Sequence, residues 1–385
     1  MAERTTSAND LNGARLLAGR RELRRYSRHL LIPEVGLAGQ ERLASSRVLC
    51  VGAGGLGAPV LAYLAAAGVG RITIIDDDIV EESNLQRQVI FGMRDLGRPK
   101  ALAAAERLHD LNPHVELFPL ERRFDATCAL ELVEQNDLVI DATDSFASRY
   151  LINDAARLRG KPDVYASIFR FDGQVSVFAP GGPCYRCLFP IPPPEGSVPT
   201  CAEGGALGVL AGIIGTLQAG EVLKLLLGIG RPLIGRLALV DALETRVREY
   251  ALERDPSCPL CGDAPTITDL REESQPCIVS TIREIAAHEL DVFLAENPQA
   301  ILLDVREPHE IVLGMLPGAI HLPVSELEAR LHELDSTRTY IVACRLGRKS
   351  PWVAQRLIDA GFGNVVHLQD GLLARAALDA SINIL

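Results

Sequence analysis

Between the apolar run Val48-Leu49-Cys50-Val51 and a stretch of small residues from Gly57 to Ala67 lies the turn Gly52-Ala53-Gly54-Gly55-Leu56-Gly57. No other feature of the chain constrains its fold as strongly. Glycines at a strand-to-helix passage let the backbone approach a phosphate, whose charge the helix N-terminus then stabilises. The pattern recurs downstream. Arg71 to Ile75 reads as a second strand, Lys100 to Leu111 as a second helix, Leu138 to Ile140 as a further strand and Ser145 to Leu158 as its helix. Such alternation predicts an α/β fold, a Rossmann-like doubly wound parallel sheet with helices on both faces. The Pro-rich segment from Pro190 to Pro199 breaks the rhythm and predicts an extended, mobile loop; a helix from Leu207 to Leu227 and a strand from Leu237 to Asp241 then close the domain.

With 385 residues the chain exceeds one ordinary core, and a second, smaller α/β rhythm runs from strand Ala300 to Asp304 through strand Thr339 to Ala343 and helix Lys349 to Ala360 to strand Asn364 to His367. The reading is an N-terminal extension over 1–24, a nucleotide domain over 25–265, a linker over 266–279 and a second domain over 280–385. A net charge of −11 argues against nucleic acid as a direct partner. Met1 to Leu11 lacks the apolar core of a secretory signal, so a cytoplasmic protein is expected. The apolar stretch from Ala206 to Gly220 falls short of the ~20 residues a membrane span needs and reads as a buried helix.

Asp76 ends the second strand where an acidic residue would hold ribose hydroxyls, and to that point a nicotinamide site fits equally well. The next stretch of chain separates the two readings. Ser83-Asn84-Leu85-Gln86-Arg87-Gln88 and Lys100 bring cations that a triphosphate attacked at its α-phosphorus requires and a dinucleotide does not. Asp144 follows the strand Leu138 to Asp141 and stands at its C-terminal mouth, a place for a magnesium ion. Asp77 and Asp78 read as solvated turn carboxylates.

Nine cysteines in a chain of this kind point to metal ligands and reactive thiols rather than disulfides. Cys184-Tyr185-Arg186-Cys187 and Cys258-Pro259-Leu260-Cys261 form two knuckles whose four thiolates would close a tetrahedral Zn²⁺ site with no open position, a structural staple. Cys50 and Cys128 fall within strand and helix patterns and read as buried apolar residues, and Cys277 receives no role. Cys201 follows the Pro-rich loop and reads either as a loop thiol or as a transient nucleophile. Cys344 opens Cys344-Arg345-Leu346-Gly347-Arg348-Lys349-Ser350, which runs into a helix. Backbone amides and three cations there would favour the thiolate, and a core cysteine would not be ringed by such charges.

The segments Arg25-Tyr26-Ser27-Arg28, Gly52 to Gly57, Asp76, Ser83 to Gln88, Lys100, Ala142-Thr143-Asp144 and Phe171-Asp172-Gly173-Gln174 resemble the MoeB/ThiF family, bacterial relatives of ubiquitin-activating enzymes, from Arg25 to about Cys261. The resemblance implies that the glycine turn (Gly52, Gly54, Gly55, Gly57) and Asp76 seat ATP, with Gly55 and Asp76 at its adenosine end. It further implies that Asn84, Arg87 and Lys100 hold the phosphates with Ser83 and Ser145 beside them, that Asp144 binds Mg²⁺, and that Arg28 reaches across a homodimer into the other subunit's site. Ser145 stands where the family often has Asn. From about Ser280 the chain resembles a rhodanese domain, on Leu303-Asp304-Val305-Arg306-Glu307, Gly314 to Leu322, the Cys344 loop and the closing Asp370-Gly371, which lacks the usual Trp after it. Asp304 and Arg306 would then support the Cys344 loop, and Cys344 would carry a persulfide.

The fusion resembles activating enzymes of the MoeZ type, whose partners are small ubiquitin-like sulfur-carrier proteins ending in Gly-Gly. It implies adenylation of the carrier's terminal carboxylate and then sulfur transfer from Cys344. Cys201 would release the thiocarboxylate, and a cysteine desulfurase or thiosulfate would supply the sulfur. The product would serve molybdopterin, thiamine, cysteine, tRNA or natural-product thiolation. Two other classes stand beside this one: a nicotinamide-dependent oxidoreductase with an appended domain, which would show no ATP–pyrophosphate exchange, and a docking protein, which would need neither Cys344 nor a phosphate site.

Overall fold

The computed structural model describes residues 20–193, 205–270 and 282–379. Described residues up to Pro192 and from 205 to 270 form one compact unit, and those from 282 onward form the second.

The first unit is built on an eight-stranded sheet of order β3-β2-β1-β4-β5-β6-β7-β8. β1 (Arg47–Val51), β2 (Arg71–Ile75), β3 (Glu116–Leu120), β4 (Leu138–Asp141) and β5 (Asp163–Phe169) run parallel. Proline at Pro119 is compatible with β3 because that strand lies at the sheet's edge. Side chains alternate across β1. Val48 and Cys50 enter a core with α1 (Gly36–Ser45), α2 (Gly57–Ala67), α3 (Lys100–Leu111) and the long helix that precedes the seventh strand, whereas Leu49 and Val51 face α4 (Ala126–Glu134) and α5 (Phe146–Leu158). The doubly wound sheet read from the alternation is present here.

Three further strands, β6 (Asp172–Phe178), β7 (Arg236–Asp241) and β8 (Arg246–Ala251), extend it antiparallel. The cause is local: Phe169 pairs with Asp172 across a two-residue turn, with Arg170 at φ 52°, and so short a link permits only antiparallel return.

The apolar stretch ahead of β7 forms α6 (Gly208–Leu227), long and apolar enough by composition to cross a membrane. It packs instead as a core helix on α2, β5 and β6. A side chain at Gly215 would strike Pro59, and Gln218, fully buried, donates to the carbonyls of Asp141 and Val164 at 2.7 Å each.

The second unit is a five-stranded, wholly parallel sheet of order β11-β10-β12-β13-β9. Its strands are β9 (Arg283–Ile285), β10 (Ile301–Asp304), β11 (Ile320–His321), β12 (Thr339–Ala343) and β13 (Asn364–Leu368). Helices α7 (Leu290–Glu296) and α9 (Gly371–Leu378) share one core with it, and α8 (Ser350–Asp359) the other.

Candidate active sites

In the first unit the glycines divide into two kinds. Gly52 adopts φ +96°, a Cβ there would meet Ala142 O at 2.8 Å, and one at Gly57 would strike Gly52 O, so these two close the turn against the strand ends. Gly54 and Gly55 instead face the side chains of Gln88 and Arg87, each at 3.6 Å from an added Cβ, which places Arg87 over the turn. Asp76 accepts from the amides of Ala53 at 2.7 Å and Asp78 at 2.9 Å. Burial raises its pKa, opposed by those amides and by Lys100.

Asn84 is buried and accepts from Glu81 N, its amide donating to Ser83 Oγ; Arg87 donates to Ser83 O at 3.0 Å. Buried Lys100 pairs with Asp78 at 2.8 Å. The Asp78 side chain is 71% exposed, a solvated turn carboxylate as read, and it also pairs with Lys100, for which the sequence offered no signal beyond its place after the strand.

Asp144 is exposed, and its carboxylate has no hydrogen-bond or ion-pair partner among the described residues; the same holds for exposed Arg28. Ser145 N-caps α5, its hydroxyl accepting from Ser148 N at 3.1 Å. Asp141, which sequence reasoning passed over, is buried just behind. One of its oxygens accepts from Thr143 N (3.0 Å) and Thr143 Oγ1 (2.7 Å), and the other has no hydrogen-bond partner among the described residues. An uncommitted carboxylate beside a second one suits a divalent cation. The available signal was an acid ending the apolar run Leu138-Val139-Ile140.

Buried Asp163 lies on β5 opposite Val139, diagonal to Asp141. Burial, then Asp141's charge, pushes its pKa well above 3.8, with no cation to oppose the shift. Because the folded state favours the protonated acid, stability is fully present below the ordinary value. It declines as pH rises towards the folded value, by at most about 1.4 kcal/mol per unit. Asp163→Asn, which cannot titrate, is expected to unfold at a higher temperature than wild type near pH 8, the gap narrowing near pH 5. An equal gap at both values in melting experiments removes this account.

The four knuckle cysteines converge, all Sγ atoms lying within 4.8 Å of one another. Cys187–Cys261, Cys184–Cys258 and Cys184–Cys187 are 3.3, 3.6 and 3.9 Å apart. Sulfurs about 2.3 Å from a tetrahedral zinc stand about 3.8 Å from each other. Burial and the neighbouring thiols push Cys184 up, and burial pushes Cys261 up to about 12, whereas at Cys258 burial is outweighed by hydrogen bonds from the Cys261 and Leu260 amides and the thiol is held below its usual value. The donors fit a metal ion. Cys50 and Cys128 are buried, Cys50 entirely, whereas Cys201 and Cys277 lie outside the described residues.

In the second unit Cys344 immediately follows β12 but is only 2% exposed and joins the core cluster, contrary to the expectation that cations keep it out. The physical reason is the loop's curl. Gly347 at φ +75° and Gly371 at φ +70° pack backbone to backbone, a Cβ on Gly347 striking Gln369 O and one on Gly371 meeting Arg345 O at 2.5 Å. Leu372 N donates to Cys344 O and Leu373 N to Arg345 O. Asp370-Gly371 is thus the buttress of the loop. Lys349 N donates to Cys344 Sγ at 3.3 Å, while the Lys349 side chain is itself buried and ion-paired with Glu310 at 3.7 Å. Beyond its buried pair with Asp304, the Arg306 guanidinium donates to Gly314 O at 2.7 Å, not to the Cys344 loop.

Residues 26–260 match the ThiF family and residues 286–376 the rhodanese-like domain. The chain is 45% identical over 372 residues to the probable adenylyltransferase/sulfurtransferase MoeZ of Mycobacterium tuberculosis, with 93% of each chain covered. It is 53% identical to the sulfur carrier protein adenylyltransferase of Thermus thermophilus, covering 66% of this chain and 97% of that one. The crystal structure of Escherichia coli MccB with ATP shares the fold at TM-score 0.54 and 23% identity, covering 62% of this chain and 73% of that one. With the glycine turn, the four-cysteine cluster and the Cys344 loop all in place, the chain belongs to the ThiF family and carries a rhodanese-like domain behind its adenylating unit.

Proposed function

We propose that this enzyme adenylates the C-terminal carboxylate of a small ubiquitin-like carrier ending in Gly-Gly, and then converts it to a thiocarboxylate. The observation that carries this reading is the pairing, in one chain, of a phosphate-cradling turn overlain by Arg87 and a loop that delivers a backbone amide to Cys344 sulfur. A relative named adenylyltransferase/sulfurtransferase that matches over 93% of both lengths supports it. The first activity is assigned to 25–265 and the second to 280–385, joined by 266–279.

The carrier's carboxylate oxygen attacks the α-phosphorus of ATP, and the bond to pyrophosphate breaks. A carboxylate needs no general base, so the work is alignment and charge stabilisation. Gly54 admits the phosphates, Gly55 and Asp76 seat the adenosine end, and Asn84, Arg87, Lys100 and, from a second subunit, Arg28 face the developing charge, with Ser83 and Ser145 alongside. Mg²⁺ at Asp144 would neutralise phosphate charge. The terminal sulfur of a Cys344 persulfide attacks the acyl carbon, AMP leaves, and an acyl disulfide forms. A second thiol, assigned to Cys201, attacks the Cys344 sulfur, frees the thiocarboxylate and leaves a disulfide for cellular thiols to reduce.

Zn²⁺ is assigned to Cys184, Cys187, Cys258 and Cys261. Homodimerisation is supported by exposed Arg28, unpaired among the described residues, and by an open apolar stripe on α6, Val209, Ile213 and Leu217 recurring every four residues. The sulfur donor is a cysteine desulfurase or thiosulfate. A reducing cytoplasm suits the free thiols this chemistry needs. The test incubates the enzyme with Gly-Gly-tailed carriers, ATP and thiosulfate. One carrier is expected to gain the mass of sulfur replacing oxygen. No ATP consumption with any such carrier, together with retention of a nicotinamide, would overturn the proposal.

A further inference from the structure

The first zinc knuckle and the Asp144 loop are attached to the same helix. Residues 146, 149, 150, 153, 154 and 157 of α5 recur at spacings of three and four, so they share one face. Along that face the knuckle is plugged in by buried polar contacts. Tyr185 N donates to Asn153 Oδ1 at 2.8 Å, and Arg186 makes a two-point bond to Asp154, Nε to Oδ1 at 2.9 Å and Nη2 to Oδ2 at 2.7 Å. The Arg186 guanidinium also lies over the Tyr150 ring at 4.8 Å, and Tyr150 meets Tyr185 edge to face at 5.0 Å. One turn nearer the helix start, buried Arg149 donates from Nη2 to Thr143 O at 3.3 Å. Thr143 is gripped from the other side by Asp141, through both its amide and its hydroxyl. The residue immediately before Asp144 is thus fixed by two buried groups, one of them on the helix that the cysteine knuckle holds.

We propose that α5 is a strut through which the four-cysteine cluster sets the position of the Asp144 carboxylate, with Arg149 as the positioning residue. The staple then tunes cation binding at the nucleotide site as well as holding the fold. A thirteen-residue helix braced by aromatic packing and a two-point buried ion pair shifts as one body, so slack at Arg186 is passed to Thr143. Arg149 acts without touching nucleotide: it orients the backbone that carries the ligand, the role outer partners play at metal sites. This inference rests on the assignment of Mg²⁺ to Asp144.

The test measures, by calorimetry, the Mg²⁺ concentration that half-saturates binding of α,β-methylene-ATP to the full chain, together with zinc content and melting temperature. Arg149→Lys keeps the charge but loses the planar reach to Thr143 O, and is expected to raise that concentration about tenfold, as loss of an outer partner does. Arg186→Lys, with one zinc still bound, is expected to raise it about threefold, and the double variant to match Arg149→Lys within about twofold, because the two act in series. An unchanged Mg²⁺ requirement in zinc-loaded Arg186→Lys, or multiplied effects in the double variant, overturns the strut. If Arg149→Lys does not fold, zinc-loaded Arg186→Lys decides alone. Asp144→Asn separates the two levels: if it leaves the Mg²⁺ requirement untouched, the underlying magnesium assignment fails rather than the coupling.

Discussion

Replacing Cys344 with alanine is expected to reduce thiocarboxylate formation about a thousandfold or more, while carrier-dependent ATP–pyrophosphate exchange stays at the wild-type rate. The sulfur receives the Lys349 amide at 3.3 Å, and the Ser350 hydroxyl stands 3.9 Å away. No other described cysteine belongs to the second unit, so nothing among the described residues there can carry a persulfide in its place. The substitution removes one sulfur from a site 2% exposed within a core cluster, a loss of about 1 kcal/mol. Lost activity would therefore report chemistry rather than unfolding. Mass analysis of the carrier and labelled-pyrophosphate exchange, run on one preparation, make the check. Full sulfur transfer by the variant would remove the rhodanese-like unit from the mechanism. Loss of exchange as well would mean that adenylation depends on the same thiol.

What the sequence discloses and what it hides divide along a physical line. Local backbone demands are legible. Only glycine tolerates the crowding at Gly52 and Gly57, so the turn announces itself, and two Cys-x-x-Cys pairs predict the four sulfurs that gather within 4.8 Å. Pairings between distant segments are not legible. Asp154 and Arg186 are thirty-two positions apart and bond in the interior, and nothing in either neighbourhood says so. Asp78 looks like any turn carboxylate until Lys100 is brought to it. The antiparallel extension β6 to β8 escaped because its decisive feature is a two-residue turn at Arg170-Phe171 rather than a change in hydrophobic pattern. Burial of Cys344 escaped for a related reason. Charge near a cysteine in sequence says little about exposure when Gly347 and Gly371 let the loop curl onto the next helix.

The second large effect is expected from Asp304→Ala. Both partners of the Asp304–Arg306 pair are 1% exposed, and Arg306 reaches both carboxylate oxygens, Nε at 3.0 and 3.1 Å and Nη2 at 2.7 Å. Removing the carboxylate strands a guanidinium in the interior, with only Gly314 O left to its Nη2 and, among the described residues, no partner for Nη1. Breaking one half of such a pair costs about 3–5 kcal/mol, much of the 5–15 kcal/mol that holds a typical domain. At about 4–8 °C per kcal/mol for a small domain, the second unit is expected to melt roughly 12–40 °C lower. Sulfur transfer should fail at physiological temperature, with carrier adenylation retained. Asp304→Asn keeps an acceptor for Arg306 and should fall between the two, which distinguishes a stranded charge from a merely altered shape. Scanning calorimetry reads this directly, and an unshifted transition for Asp304→Ala would show that water reaches Arg306 and that the pair is not sealed.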